Sequence, residues 1–269
     1  MPDVYAAIER AEESVQERLA DVLELRAADL QQRAMLEDYL HDLPISGGAR
    51  VLEIGCGTGA VARTLAAQPP VSEVVGVDPS SLFIDQARRR AEGIDELSFV
   101  VGDGRDLSFE DCSFDAVVCH TALCHIPGPE RVLAEGLRVT RSSGWLAVFD
   151  GDYATTTVAI TNHDPLQTCV DAAVAALVHD RLLVRRLPAL MRVTGWQVVR
   201  TRSHGYVETG SAQYMLTLVD RGADALAATG AVTSATADAL KEEARQRAAA
   251  GTFFGHIAYA SVIARKPRR

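Results

Sequence analysis

The stretch Val51-Leu-Glu-Ile-Gly-Cys-Gly-Thr-Gly59 is the most informative part of this chain. Its apolar first half predicts a short buried strand, and the residues from 59 to 67 that follow have a helical pattern. The three glycines between them allow a tight turn and a close approach of the backbone to a ligand, because no Cβ intrudes. Such a turn predicts a ligand site at the carboxyl end of a parallel sheet, beside a helix N-terminus.

Short apolar runs and helical patterns alternate on both sides of this turn. Strands are predicted at 50–54, 73–77, 97–101, 114–119 and 145–149, and helices at 59–67, 82–91 and 129–139. Because strands joined through crossover helices run parallel, with helices on both faces, this order predicts a doubly wound α/β sheet.

The two ends of the chain have a different pattern. Residues 4–43 predict two or three helices, and a loop is predicted at 151–165. Helices at 166–178, 181–193, 211–228 and 234–250 surround strands at 195–204 and 256–264, which would form a terminal antiparallel hairpin. We therefore expect an N-terminal helical segment (1–44), a ligand-binding core (45–150), and the rest of a seven-stranded sheet with an inserted helical cap (151–269).

Composition excludes several classes of protein. The chain has 269 residues, a net charge of −9 and only short basic runs, so it is not expected to bind nucleic acid. It has no apolar run long enough to span a membrane and no signal-peptide pattern. Its five cysteines have no framework spacing, which indicates reduced thiols and a cytoplasmic protein. The oligomeric state stays open, with a homodimer as one option.

Acidic residues lie at three of the predicted strand ends. Glu53 comes two residues before the first glycine, Asp78 ends the second strand, and Asp103 ends the third. Asp78 could accept hydrogen bonds from both hydroxyls of a ribose, and Asp103 one from the exocyclic amine of an adenine. Glu53 would favour a cationic amino-acid tail. Together these positions predict an adenosine ligand with an ammonium and a sulfonium group.

These motifs resemble those of the class I S-adenosylmethionine-dependent methyltransferases, and the resemblance is strong over residues 45–150. Ser113-Phe-Asp-Ala-Val117 resembles the family's fourth strand, and the segment 137–144 its following turn, with Arg-Ser-Ser-Gly in place of Pro-Gly-Gly. The resemblance implies a Rossmann-like methyltransferase sheet and S-adenosylmethionine as cofactor. The implied and predicted cofactor-binding residues are Glu53, Gly55, Cys56, Gly57, Asp78, Pro79, Gly102, Asp103, Gly104 and His120, with Arg33 as a partner for the methionine carboxylate.

Candidate catalytic residues come from the loops after the fourth and fifth strands and from the two ends of the chain. A general base is needed only where the methyl acceptor must lose a proton. His125 is the first candidate, because its loop should border the methyl group. The other candidates are Asp152, His163, Glu208 and Tyr5, and His204 and Tyr206 could reach the same cleft. No metal is expected, since Cys119 and His120 should point to opposite faces of a strand.

Three segments at the ends also resemble a narrower group, the actinomycete small-molecule methyltransferases, some of which methylate carbon 3 of an indole. They begin at Leu25, Phe149 and Gly251. The resemblance implies a small-molecule substrate, with indole C3-methylation in tryptophan-derived alkaloid or cyclic dipeptide biosynthesis as one candidate reaction. O- or N-methylation and cofactor binding without catalysis stay open. An NAD-dependent oxidoreductase is disfavoured, because the chain's two lysines, Lys241 and Lys266, do not form a Tyr-x-x-x-Lys pair.

Overall fold

The computed structural model describes residues 5–210 and 212–268, apart from the side chains of Ala6, Ala7 and Glu9. The predicted segments 4–43, 211–228 and 151–269 each begin or end at a residue outside the described ones, namely residue 4, 211 or 269. The N-terminal segment contains a short 3-10 helix (Tyr5–Arg10), α1 (Glu13–Ala28) and α2 (Leu30–His41). Asp29 lies between α1 and α2 and caps α2, because its carboxylate accepts hydrogen bonds from the N–H groups of Gln31 and Gln32.

Strands and helices then alternate as the periodicity predicts. The first part contains β1 (Ala49–Ile54), α3 (Ala60–Ala66), β2 (Val71–Asp78), α4 (Ser81–Arg90), β3 (Leu97–Val101), β4 (Phe114–His120) and α5 (Pro129–Val139). The second part contains β5 (Thr140–Thr157), α6 (Pro165–Leu177), α7 (Leu183–Val193), β6 (Gln197–Thr209), α8 (Gln213–Ala228), α9 (Ser234–Ala249) and β7 (Phe254–Arg265).

The seven strands form one sheet in the order β3-β2-β1-β4-β5-β7-β6. β1 to β5 pair in parallel, whereas β7 is antiparallel to both β5 and β6. This order confirms the predicted doubly wound, seven-stranded Rossmann-like sheet, including its terminal antiparallel pair. The carboxyl ends of β1, β2, β3 and β4 therefore lie along one edge.

The fifth strand is longer than predicted. The expected loop at 151–165 is wrong for its first half, because β5 continues to Thr157 and pairs with β7. β-branched threonines at 155–157 favour an extended backbone, and a partner strand from far along the chain supplies the hydrogen bonds. The turn expected near residues 140–144 is likewise part of β5, with a register shift opposite Phe114 and Ala116.

The cap consists of α6, α8 and α9, and α6 packs closely on α8. Gly222 of α8 lies against the carbonyl of Cys169 of α6, where an added Cβ would be 1.6 Å from the oxygen. One continuous cluster of buried apolar side chains extends from Met35 of α2 to Ala264 of β7. The cap and the sheet therefore share a hydrophobic core. Among the described residues, no helix is long and apolar enough to cross a membrane.

Candidate functional site

A cavity of about 950 Å³ lies at the carboxyl edge of the sheet, under the N-terminal helices and beside the cap. It is lined by the glycine turn and strand ends on one side and by α6 and α8 on the other. One continuous space therefore reaches from the predicted cofactor residues to the cap.

Gly55 directly follows β1 and lines the cavity. Its φ is +75°, and an added Cβ would lie 2.5 Å from the Cβ of Ala122 in the loop after β4. The N–H groups of Gly55 and Cys56 donate to the carbonyl of Val77, at 2.8 and 3.0 Å. Only glycine fits both the backbone conformation and the contact with Ala122.

Asp78 lies at the end of β2 and is 6% exposed. One carboxylate oxygen accepts a hydrogen bond from the N–H of Gly57 and the other from the N–H of Ser80, both at 2.9 Å. Burial raises the pKa of Asp78 to about 6, although the two backbone hydrogen bonds act in the opposite direction. Because each carboxylate oxygen has two acceptor positions, both oxygens can still accept from ribose hydroxyls.

Glu53 is almost fully buried at the end of β1, and its Oε2 has no hydrogen-bond partner among the described residues. Burial, and secondly the nearby Asp78 carboxylate, raise the pKa of Glu53 well above its usual range. A buried acceptor without a donor is costly, so this atom is suited to a cationic ligand group. The residues present therefore fit the ribose and ammonium groups of S-adenosylmethionine.

The third strand end is more exposed than the other two. Asp103 lines the cavity with Gly102 and Gly104, but both of its oxygens accept hydrogen bonds from the guanidinium of Arg105. This guanidinium lowers the pKa of Asp103 and keeps the carboxylate charged. Asp103 thus lies at the carboxyl edge of the sheet, as predicted. An adenine amine that donated to Asp103 would do so beside the guanidinium of Arg105.

His120 ends β4 and also lines the cavity. Its ring stacks on Phe149 with 4.8 Å between centroids, and its Nδ1 is hydrogen-bonded to the hydroxyl of Tyr39 at 3.0 Å. Burial, and secondly the charge of Arg26, lower the pKa of His120 well below its usual range. His120 is therefore a neutral group of the cavity wall at neutral pH.

Arg26 of α1 was not among the predicted residues, although it lies deeper in the cavity than Arg33. Its guanidinium donates to the hydroxyl of Thr121, in the same loop as Ala122. Arg33 lines the cavity as well, but it is an exposed residue of α2. The structure therefore places Arg26, rather than Arg33, beside the loop after β4 that contacts the glycine turn.

The substrate side of the cavity begins at His125. The ring of Tyr5 lies against His125 with 4.6 Å between centroids, so the N-terminal helix covers this part of the cavity. The carboxylate of Asp150 is fully buried and accepts a hydrogen bond from the N–H of Cys124, next to His125. Burial raises the pKa of Asp150, and the charge of His125 lowers it. His125 and Asp150 are thus close enough to interact electrostatically.

Three predicted catalytic residues do not line the cavity. Asp152 is ion-paired with Arg185, with 2.8 Å between the oxygen and nitrogen. His163 is exposed in the turn before α6. The carboxylate of Glu208 accepts hydrogen bonds from the N–H groups of Tyr214 and Met215 and caps α8. The side chains of Asp152 and Glu208 thus have structural partners and that of His163 is exposed, so the structure does not bring these three residues to the cavity wall.

The two further cap-side candidates also have other partners. The ring of His204 is hydrogen-bonded to the hydroxyl of Ser261 at 2.9 Å, and the hydroxyl of Tyr206 donates to Asp29. The cap contributes Ala173, Val174 and Leu177 of α6 and Tyr214, Leu218 and Arg221 of α8 to the cavity wall. Tyr214, Leu218 and Arg221 have i, i+4, i+7 spacing, which is the sequence signal that could have identified this face of α8. Among the described residues, no His, Cys, Asp and Glu side chains group as a metal site.

Comparison with known protein families gives a match over residues 52–148 to a family described as "Methyltransferase domain". Residues 52–148 thus match a methyltransferase domain. The domain contains the glycine turn and all three acidic strand ends, and S-adenosylmethionine is its cofactor.

Relatives of the methyltransferase domain occur in bacteria and fungi. The chain is 30% identical over 179 residues to an uncharacterized 37.1 kDa protein in transposon Tn4556 of Streptomyces fradiae, covering 66% of this chain and 51% of the relative. It is 39% identical over 124 residues to sterol 24-C-methyltransferase erg6 of Aspergillus fumigatus, covering 45% of this chain and 33% of the relative. The chain thus spans about half or less of the length of these relatives.

Solved structures share the fold of the methyltransferase domain and of the sheet around it. A putative methyltransferase from Bacillus halodurans has a TM-score of 0.63 at 19% identity, with 86% of this chain and 98% of that chain covered. The [4+2]-cyclase SpnF has a TM-score of 0.58 at 20% identity, with 88% and 82% covered. At these identities the likeness shows the fold alone.

Proposed function

We propose that this chain transfers the methyl group of S-adenosylmethionine to a small molecule. The observation that carries the proposal is the continuity of the cavity. Cofactor-type acids at the ends of β1 and β2 and an apolar chamber under the cap open into the same space. A cavity of about 950 Å³ is in the upper part of the range for small-molecule sites.

The cofactor side of this proposal uses the residues at the sheet edge. Asp78 accepts hydrogen bonds from the ribose, and Glu53 accepts one from the ammonium group through its unpartnered Oε2. Arg26 pairs with the methionine carboxylate, in the role first predicted for Arg33. Gly102, Asp103 and Gly104 border the adenine, and Gly55, Cys56, Gly57, Pro79 and His120 complete the wall.

The substrate side binds, orients and deprotonates the acceptor. The bound cofactor supplies an electrophilic methyl group on a sulfonium, so the protein needs to align a nucleophile with it and exclude water. His125 is the candidate base, and the buried carboxylate of Asp150 accepts a hydrogen bond from the N–H of Cys124 next to it. Tyr5 and the apolar residues of α6 and α8 cover the chamber and keep water out.

We further propose carbon 3 of an indole as the acceptor atom. This carbon becomes nucleophilic when the ring N–H is polarised or deprotonated, which is a step that a histidine such as His125 can perform. Aromatic rings of Tyr5, Tyr153 and Tyr214 line the chamber and suit a flat aromatic substrate. One relative, the sterol 24-C-methyltransferase, is named for methylation of a carbon atom, and a carbon acceptor is compatible with that name.

Two measurements test these proposals separately. S-adenosylhomocysteine should raise the melting temperature of the protein and NAD should not. Incubation with S-adenosylmethionine and either tryptophan derivatives or cyclic tryptophan dipeptides should then give a methylated indole by mass spectrometry. Absence of any methylated indole contradicts the indole proposal. Binding of S-adenosylhomocysteine with no transfer to indole, hydroxyl or amine acceptors contradicts the methyl-transfer proposal as well.

A further inference from the structure

Arg221 projects from α8 into the substrate side of the cavity. It follows Tyr214 and Leu218 at helical spacing, and all three residues line the cavity. The hydroxyl of Tyr5 is hydrogen-bonded to Arg221, and the ring of Tyr5 lies on His125. The guanidinium of Arg221 is therefore separated from the candidate base by a single side chain.

The charge of Arg221 is not neutralised by the protein residues that the structure describes. No described carboxylate forms an ion pair with it; its neighbours on α8, Asp220 and Asp224, pair with Arg245 and Lys241 of α9 instead. The residues that β5, α6 and α8 contribute to the cavity wall include no Asp or Glu. They are Tyr153 of β5, Ala173, Val174 and Leu177 of α6, and Tyr214, Leu218 and Arg221 of α8.

A half-buried guanidinium in such a wall is suited to an anion from outside the protein. Burying a cation among apolar and tyrosine side chains is costly unless a counter-charge and hydrogen bonds compensate. A carboxylate is the complementary group, because its two oxygens match two N–H groups of a guanidinium. Four other guanidiniums line the cavity. Arg63 pairs with Glu24 and Arg105 with Asp103, Arg33 is exposed, and Arg26 donates to Thr121 beside the glycine turn.

We propose that Arg221 binds a carboxylate of the methyl acceptor, so that the substrate is an apolar small acid. This inference rests on the proposed function and narrows its substrate class. The apolar residues of α6 and Leu218 hold the body of the substrate, while Arg221 fixes its charged end near Tyr5 and directs the body past His125. For an indole acceptor, the proposal selects a tryptophan-like acid over a neutral cyclic dipeptide.

The test compares each acid with its amide, which has nearly the same shape and no charge. Binding of indole-3-propionate, indole-3-propionamide, octanoate and octanamide is measured by calorimetry with saturating S-adenosylhomocysteine. At least one acid should bind about 10-fold or more tightly than its amide. Arg221→Met should abolish this preference, Arg221→Lys should keep part of it, and Arg192→Met, at an exposed position of α7, should keep all of it.

The outcomes separate this inference from the proposed function. Equal binding of acid and amide, binding of neither, or a preference that survives in Arg221→Met overturns the carboxylate site. Where Arg221→Met fails to fold, Arg221→Lys makes the comparison, and a preference that Arg221→Lys leaves undiminished overturns the site. Affinity for S-adenosylhomocysteine in Arg221→Met shows whether the cofactor side is intact. A charge preference without methyl transfer to any acceptor would leave the carboxylate site standing and contradict the proposed function alone.

Discussion

The carboxylate of Asp78 accepts a hydrogen bond from the backbone N–H of Gly57, at 2.9 Å. This contact joins the end of β2 to the turn after β1, and it orients the carboxylate toward the cavity before any ligand binds. The acid that would hold the ribose is therefore part of the structure of the turn itself. Protonation of Asp78 therefore affects both its hydrogen bond with Gly57 and its binding of the ligand.

The affinity for S-adenosylhomocysteine should fall as the pH is lowered through about 6, the pKa of Asp78. Above that pH the carboxylate is charged and accepts from the ribose, whereas below it one acceptor position is lost to a proton. The loss should approach about 10-fold per pH unit for one linked proton. Calorimetry between pH 5 and 8 measures it.

Asp78→Asn is the control for this pH dependence. Asp78→Asn should bind S-adenosylhomocysteine more weakly at pH 8, and its affinity should depend less on pH. The pH dependence that remains should come from Glu53, because burial also raises the pKa of that carboxyl. A profile for Asp78→Asn as steep as that of the unaltered protein would assign the dependence to another group.

Gly55→Ala should weaken both folding and cofactor binding. A φ of +75° costs a non-glycine residue about 1–2 kcal/mol, and the contact at 2.5 Å with Ala122 adds about 1–3 kcal/mol. Gly48→Ala is the matched control, because its φ is +80° but nothing lies within 4 Å of the new Cβ. Urea unfolding should show the smaller loss for Gly48→Ala, and only Gly55→Ala should lose affinity for S-adenosylhomocysteine. Equal losses would contradict the close contact at Gly55.

His125→Gln should lower kcat for methyl transfer by about 10²–10⁴-fold, which is the usual effect of removing a general base. The affinity for S-adenosylhomocysteine should change little, since His125 lies on the substrate side. His163→Gln should leave both quantities unchanged, because His163 is exposed outside the cavity wall. Full activity in His125→Gln would remove this residue from the mechanism.

Gly222→Ala should destabilise the protein, although alanine usually favours a helix over glycine by about 1 kcal/mol. The new Cβ would meet the carbonyl of Cys169, and the forced separation of α6 and α8 should cost about 1–3 kcal/mol or more. Gly136→Ala on α5 is the control with the opposite sign. Its nearest neighbour would be 3.7 Å away, so the variant should unfold at a higher urea concentration. Stabilisation by both substitutions would contradict the tight packing of α6 on α8.

The sheet, and the position of the glycine turn and the acidic residues at one edge of it, are predictable from the sequence because they depend on local signals. Apolar periodicity locates the strands, and glycines mark the turn. Parallel register then brings Glu53 and Asp78 to one edge without further information. The extension of β5 is different, because residues 150–157 become a strand only through pairing with β7, about 100 residues later.

The cap side was harder to predict because its polar residues can face a cavity, solvent or a helix end. Glu208 carries a chemically suitable group, but the N–H groups at the start of α8 bind it. The sequence analysis names Arg33 and not Arg26, although the two are seven residues apart and would share one face of a continuous helix. The chain turns at Asp29, between α1 and α2, and this break places Arg26 in the cavity and Arg33 at its exposed edge.

The position of β7 has a consequence for biosynthesis. β6 pairs with β7 in this sheet and lies at its edge, although α8 and α9 separate the two strands along the chain. Residues 197–209 therefore leave the ribosome well before residues 254–265, with which they pair. During that interval the β5 edge and β6 both expose unpaired N–H and C=O groups, a state that favours association with other nascent chains. Completion of the sheet thus waits for the synthesis of residues 254–265, and the cavity beneath α8 takes its final shape only then.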